Sequence, residues 1–213
     1  EKATILFGLP HWTYGALIAL VSVLFALDLV LYGVKIARFP KEVLAELHHP
    51  VKLNFFSAIP ISFLLVSIAY YNEINPLIGI VLWYVGTPVQ FMLLLYVFSR
   101  WIRHDFDLVH ANPAWFIPIV GTILVPVVGV DIASPFVSIF FFSIGMFFWI
   151  VFFSIVLYRL IFHDALQKKF IPTLFIFIAP PAVGLIAYFR ITGTVDLFGY
   201  VLYSLALFFL FVL

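Results

Sequence analysis

The stretch Pro135–Tyr158, PFVSIFFFSIGMFFWIVFFSIVLY, decides the fold. It holds no charged side chain and is apolar around the whole helical circumference. A membrane-barrel strand would alternate polar and apolar residues over about 10 positions. A helix on a soluble protein would keep a polar face. A run near the ~20 residues that cross the hydrocarbon core reads instead as a transmembrane helix. Six further stretches carry the same signature: about Pro10–Ala37, Leu53–Tyr71, Pro76–Ser99, Ala114–Val130, Phe170–Phe189 and Leu197–Leu213. Only the first contains charge, at Asp28 and Lys35. Backbone groups in lipid must bond within the chain, so about seven helices are expected. The expected class is all-α integral membrane, with residues 1–213 as one transmembrane domain.

Composition agrees. The chain is 65% hydrophobic and 10% charged, against about 45–50% and about 25% in soluble domains. A net charge of +1, without a basic patch interleaved with aromatics, argues against a nucleic-acid partner. Cysteine is absent, which excludes disulfides and thiolate metal sites. No P-loop, dinucleotide fingerprint, G-x-S-x-G or H-E-x-x-H pattern occurs. No catalytic residue, cofactor or metal is expected, and an enzyme is not the reading. Retinal chemistry needs a lysine in the last helix, and Leu197–Leu213 has none.

The links set the topology. Lys35, Arg38, Lys41, Lys52, Arg100, Arg103, Arg159, Lys168 and Lys169 fall in or beside alternate links, with Lys2 and Arg190 on the other side. Basic residues gather in cytoplasmic loops. The links around Glu42, His104 and Lys168 are therefore expected inside a cell membrane, and Asn72–Asn75, Asp131–Ser134 and Arg190–Asp196 outside. Trp12, Tyr70, Tyr71, Trp101, Trp115 and Tyr200 lie near the interfaces, where amphipathic rings are favoured.

Alternate spans differ in kind. The first, third and fifth are long and bulky, although Pro88 interrupts the third. The second, fourth and sixth carry Pro60, then Pro118 and Pro126, then Pro180 and Pro181. Proline removes a helical hydrogen bond and kinks the helix, which costs least where protein or water satisfies the backbone. The proline spans are expected inside and the Phe-rich spans against lipid. At roughly 100° per residue, three arcs emerge. They hold Leu53, Ser57, Pro60, Leu64 and Ser67; Pro118, Gly121, Thr122, Val125 and Gly129; and Thr173, Phe177, Pro180, Gly184 and Ala187. Two readings of these faces stand. Small residues let helices pack closely. Alternatively, hydroxyls and loosened backbone line a narrow conduit without fixed charge, binding ions weakly enough to release them.

Lys41–Tyr71, KEVLAELHHPVKLNFFSAIPISFLLVSIAYY, resembles the family of bacterial TehA tellurite-resistance proteins, fungal malate permeases and plant slow anion channels. The marks are two acids in the link, His48-His49-Pro50 before a helix, and a central Ile59-Pro60-Ile61. Asn75–Pro76, His110–Pro113 and Ile178–Ala187 (IAPPAVGLIA) add to the likeness. The resemblance implies ten helices in five hairpins around a central pore, with kinked inner helices, and trimers with one pore per protomer. On that pattern the seven stretches correspond to family helices two to eight. The family's gating phenylalanine, on its ninth helix, then lies outside this chain, and nothing equates Phe177 with it. The implied function is an anion channel or channel-like permease for small anions. A proton-coupled carrier of C4-dicarboxylates such as malate is the alternative. A structural or sensory membrane subunit is the reading of another class.

Single charged residues read as interfacial. Asp28 is expected to snorkel or make a helix or subunit contact rather than serve a pathway. His11, His48, His49, His104, His110 and His163 lie in links or near interfaces, and Glu42 and Glu46 form a solvated face near Lys41.

Overall fold

The computed structural model describes residues 10–103, 108 and 111–213. His104, His110 and Lys2 lie outside the described residues. Among those described the chain is helical without strands. It divides into two units, residues 1–46 and 47–213.

The first unit is dominated by α1 (His11–Arg38), followed by the start of α2 (Pro40–His48). The span in α1 is only 6% buried, as a helix solvated by lipid would be. Asp28 is exposed on it. Lys35 pairs with Glu46 at 2.6 Å, which draws Glu46 out of the solvated face expected for it.

The second unit holds the remaining spans. The second span breaks into α3 (Lys52–Phe55) and α4 (Ala58–Glu73). The third is α5 (Pro76–Arg103), continuous through Pro88. The fourth comprises the 3-10 turn Pro113–Trp115, α6 (Phe116–Leu124) and α7 (Pro126–Ile132). The fifth is α8 (Pro135–Phe162). The sixth enters as a 3-10 helix, Lys168–Ile178, and continues as α9 (Ala179–Thr192). Last comes α10 (Leu197–Val212), an apolar helix that reaches the end of the described residues. Among the described residues, six helices are long and apolar enough to cross a membrane.

The links carry the stop and start signals. Asn75, Asn112 and Asp196 each accept hydrogen bonds from backbone N–H groups at the start of the next helix. Gly193, at φ 75°, ends α9 in the left-handed conformation that glycine adopts most readily. The Tyr188 hydroxyl donates to Asp196 at 2.6 Å, which ties α9 to the cap of α10.

The fourth span is the core. Its most apolar window is 72% buried, against 39% for the second span, 33% for the third and fifth, and 28% for the sixth. It packs against α4, α5, α8 and α9. The inner position expected of the proline spans thus holds most fully for the fourth. The sixth is no more buried than the third and fifth, because α9 and its 3-10 lead present one face to α6, α8 and α10 and leave the other uncovered.

The fifth span shows how lipid and protein divide one helix. Phe136, Phe147, Ile150 and Ile161 are exposed, whereas Ser138, Phe141, Gly145, Trp149, Phe152 and Val156 form an inward stripe. Gly145 is required there, since a Cβ on it would lie 2.4 Å from Cγ1 of Ile123. Without a hydrophobic drive between helices in lipid, such close approach is a main source of cohesion.

Gly145→Ala is expected to lower stability by about 1–3 kcal/mol through overpacking. The loss should be smaller than additive in combination with Ile123→Ala, as thermal unfolding in detergent would show. A second expectation concerns Asp196. The Tyr188 hydroxyl, then the Gly199 and Phe198 N–H groups, hold its carboxyl below the usual range. A depressed folded value contributes stability above the unfolded value, about 4, and the contribution is lost as pH falls through the folded one. Asp196→Asn should therefore unfold earlier than wild type at neutral pH, with the gap closing in acid.

Candidate pore

All three proline spans are broken helices, and each break falls beside its proline. In the second, Phe56 and Ser57 donate to Leu53 and Asn54 carbonyls, tightening the turn before Pro60. In the fourth, Val125 N–H bonds the Thr122 carbonyl at 3.4 Å, the carbonyl that Pro126 cannot serve. In the sixth, Pro172 sits within eleven residues of 3-10 helix that end at Pro180 and Pro181. Runs of 3-10 helix beyond about four residues are uncommon and mark a hinge or strain.

Two side chains of α5 support the break in the fourth span. Gln90 Nε2 donates to the Pro118 carbonyl at 2.7 Å, and the Thr122 hydroxyl joins it at 2.9 Å. Trp83 Nε1 donates to the Val125 carbonyl at 3.0 Å. The glycines make room for both donors. A Cβ on Gly121 would lie 2.7 Å from the Gln90 amide, and one on Gly129 would lie 2.9 Å from the Trp83 ring. The face formed by Pro118, Gly121, Thr122, Val125 and Gly129 is therefore a groove for α5. Close packing, one of the two readings of this face, describes its geometry.

The other sequence candidates divide similarly. Ser67 donates to the Gly79 carbonyl of α5 at 2.8 Å. Gly184 lies against Met146 of α8, where a Cβ would approach the sulfur to 3.1 Å. The ring of Phe177 is buried among Phe116, Phe153 and Phe209, at centroid distances of 5.3, 5.7 and 5.4 Å. Pro60 and Pro180 are buried, and Thr173 is half-buried in the 3-10 helix. Ser57 is fully buried at the break, and its hydroxyl bonds none of the described residues.

A different face of the fourth span is the least enclosed. Ile117 is half-buried, and Val120, Leu124 and Val127 are 8%, 6% and 9% exposed, whereas Ile119, Ile123 and Val125 are at 0%. At about 100° per residue the four share one arc, opposite the Gln90–Trp83 face. This stripe is wholly apolar, so a search for hydroxyl and glycine faces passes over it. Gln90 was more legible, as the one amide side chain within the third apolar stretch.

At the expected outer end, Arg190 Nε donates to the Val127 carbonyl at 2.9 Å, and its Nη2 pairs with Asp131. This clamps α9 to the end of α7. Among the described residues, no group of three or more His, Cys, Asp and Glu could hold a metal.

Broken, proline-bearing spans backed by continuous bulky helices define a multi-pass α-helical membrane protein. The chain belongs to the family described as voltage-dependent anion channel, whose model matches residues 3–213. A tellurite resistance protein TehA homolog of Haemophilus influenzae is 31% identical over 195 residues, 89% of this chain and 59% of that protein. The S-type anion channel SLAH3 of Arabidopsis thaliana is 28% identical over 201 residues, 93% of this chain and 32% of that protein. An uncharacterized transporter of Methanocaldococcus jannaschii is 29% identical over 176 residues, 77% of this chain and 52% of that protein. The chain thus spans between about a third and about three fifths of the length of these relatives.

Gln90→Met keeps the volume but removes the donor to Pro118. It should cost about 0.5–1.5 kcal/mol, the usual net worth of one hydrogen bond, because the Thr122 hydroxyl still bonds that carbonyl. Asp131→Asn, at an exposed ion pair, should cost less than about 1 kcal/mol. Parallel melting curves would rank the two, and equal effects would count against the Gln90 bond as a support of the kink.

Proposed function

We propose that this chain belongs to an anion channel, or channel-like permease, that conducts small anions through a central conduit within each protomer. The observation that carries the reading is the apolar stripe Ile117, Val120, Leu124 and Val127 on the most enclosed span. Kinship with S-type anion channels and a TehA homolog supports it. The stripe would form one wall of the conduit. Ser57, at the break of the second span, and Thr173, on the 3-10 helix of the sixth, offer hydroxyls that could face the ion. A trimer in the plasma membrane belongs to the same proposal.

Mechanism follows from the wall's chemistry. An apolar constriction offers an ion nothing in exchange for its water, so passage favours weakly hydrated ions, and the narrowest section can close by dewetting. A proton-coupled carrier usually keeps a protonatable group within the membrane. Among the described residues the buried polar groups are amides, hydroxyls and one guanidinium, without a carboxylate or imidazole. That inventory favours a channel over coupled uptake.

In the full-length protein, Val120→Cys and Leu124→Cys should make anion current sensitive to thiol reagents. Unaltered current at both positions in intact protein would sink the assignment of the stripe. Discrete current steps in a planar bilayer are expected. Strictly stoichiometric uptake of protons with a dicarboxylate would instead establish the carrier.

A further inference from the structure

A buried guanidinium stands near the end of α8, apart from the kinks and from the stripe of the fourth span. Arg159 closes the inward stripe of that helix and is only 4% exposed. Its Nε and Nη1 are sealed from solvent and bond no described residue. The ion pairs seen elsewhere are Lys35–Glu46 and Arg190–Asp131, and no carboxylate is buried among the described residues. A guanidinium does not give up its proton in a protein. The charge is therefore permanent and held where the dielectric is low. A buried charge without a partner destabilises a fold, and an apolar side chain of similar volume would serve packing better.

We infer that Arg159 is the fixed charge that gives the proposed conduit its preference for anions, acting through its field rather than by contact. The inference rests on the conduit reading above. An apolar wall selects by dehydration and is indifferent to the sign of the ion, so the sign must come from elsewhere. Helix α8 packs directly on α6, α7 and α9. Packed helix axes lie about 8–10 Å apart, which puts the inward stripe of α8 one helix layer from the fourth span's open face. Gly145 of α8 meets Ile123, so Arg159, fourteen residues further along α8, stands ~15 Å from the Ile117 end of the stripe. At an effective dielectric near 20, a unit charge at that range changes the occupancy of a monovalent ion roughly sixfold, and less once salt screens it. Anions gain by that factor and cations lose. The sealing of Nε and Nη1 fits this role, because an ion that cannot reach those donors is attracted without being trapped.

The test uses the full-length protein in planar bilayers with a sodium chloride gradient, comparing wild type, Arg159→Met and Arg159→Lys. Arg159→Met should lower the chloride-to-sodium permeability ratio about threefold to tenfold, while Arg159→Lys stays within about twofold of wild type. Arg159→Met should also keep or raise the thermal midpoint, because it removes a buried unpaired charge. An unchanged ratio in Arg159→Met would overturn the inference. So would a sharp fall in its midpoint, which would mark Arg159 as half of a structural ion pair. If wild type passes no anions, the conduit reading itself fails. If wild type passes them and the ratio ignores the charge, only the role of Arg159 fails.

Discussion

The structure depends on how a helix broken inside a membrane keeps its backbone satisfied. Lipid offers no hydrogen bonds, so the prolines of the fourth span can stand at its centre only if protein groups bond the carbonyls around the break. Val125 N–H takes the carbonyl that Pro126 leaves unserved, and Gln90 and Trp83 of α5 add bonds to the Pro118 and Val125 carbonyls on either side, with Gly121 and Gly129 letting them in. The consequences spread outward. Helix α5 must lie along the fourth span at a fixed rotation. The small-residue face is then used up in packing, and the span's remaining surface is divided among α4, α8 and α9.

Cohesion elsewhere follows the same economy. The helices hold together through close approach and aromatic contact more than by withdrawal from water. Ile123 sits in the notch of Gly145, and Met146 in that of Gly184. Trp101 stacks on Trp115 at 5.2 Å and meets Phe152 at 4.4 Å, joining α5, the start of the fourth span and α8. At the opposite end Arg190 reaches across to Val127 and Asp131. The fourth span is thus fastened near both ends and at its kink, and its apolar stripe is left as the surface least committed to neighbours.

These constraints assign separate tasks to separate residues. The proline kinks shape the spans, the α5 side chains support them, and the stripe from Ile117 to Val127 would set which ions can shed enough water to pass. Arg159, one layer behind, would set their sign. This separation would let a wall without charge serve a conduit selective for charge.

Much of the fold was legible in the chain itself. Spans such as Pro135–Tyr158 must be helices because they are too apolar and too long to be anything else in lipid. The prolines marked where the helices would break, since a missing N–H is a local property. The caps at Asn75, Asn112 and Asp196 are local in the same way, each bonding backbone two or three residues further on. Which face of a broken helix does what was not legible. Gly121 and Gly129 look the same on a helical wheel whether they border an ion or the side chain of another helix. Only the tertiary structure, by bringing Gln90 and Trp83 from about thirty to forty residues away, decided that they border α5. The chain determined local geometry because backbone chemistry acts over a few residues. The assignment of faces waited for packing because it depends on neighbours far away in sequence.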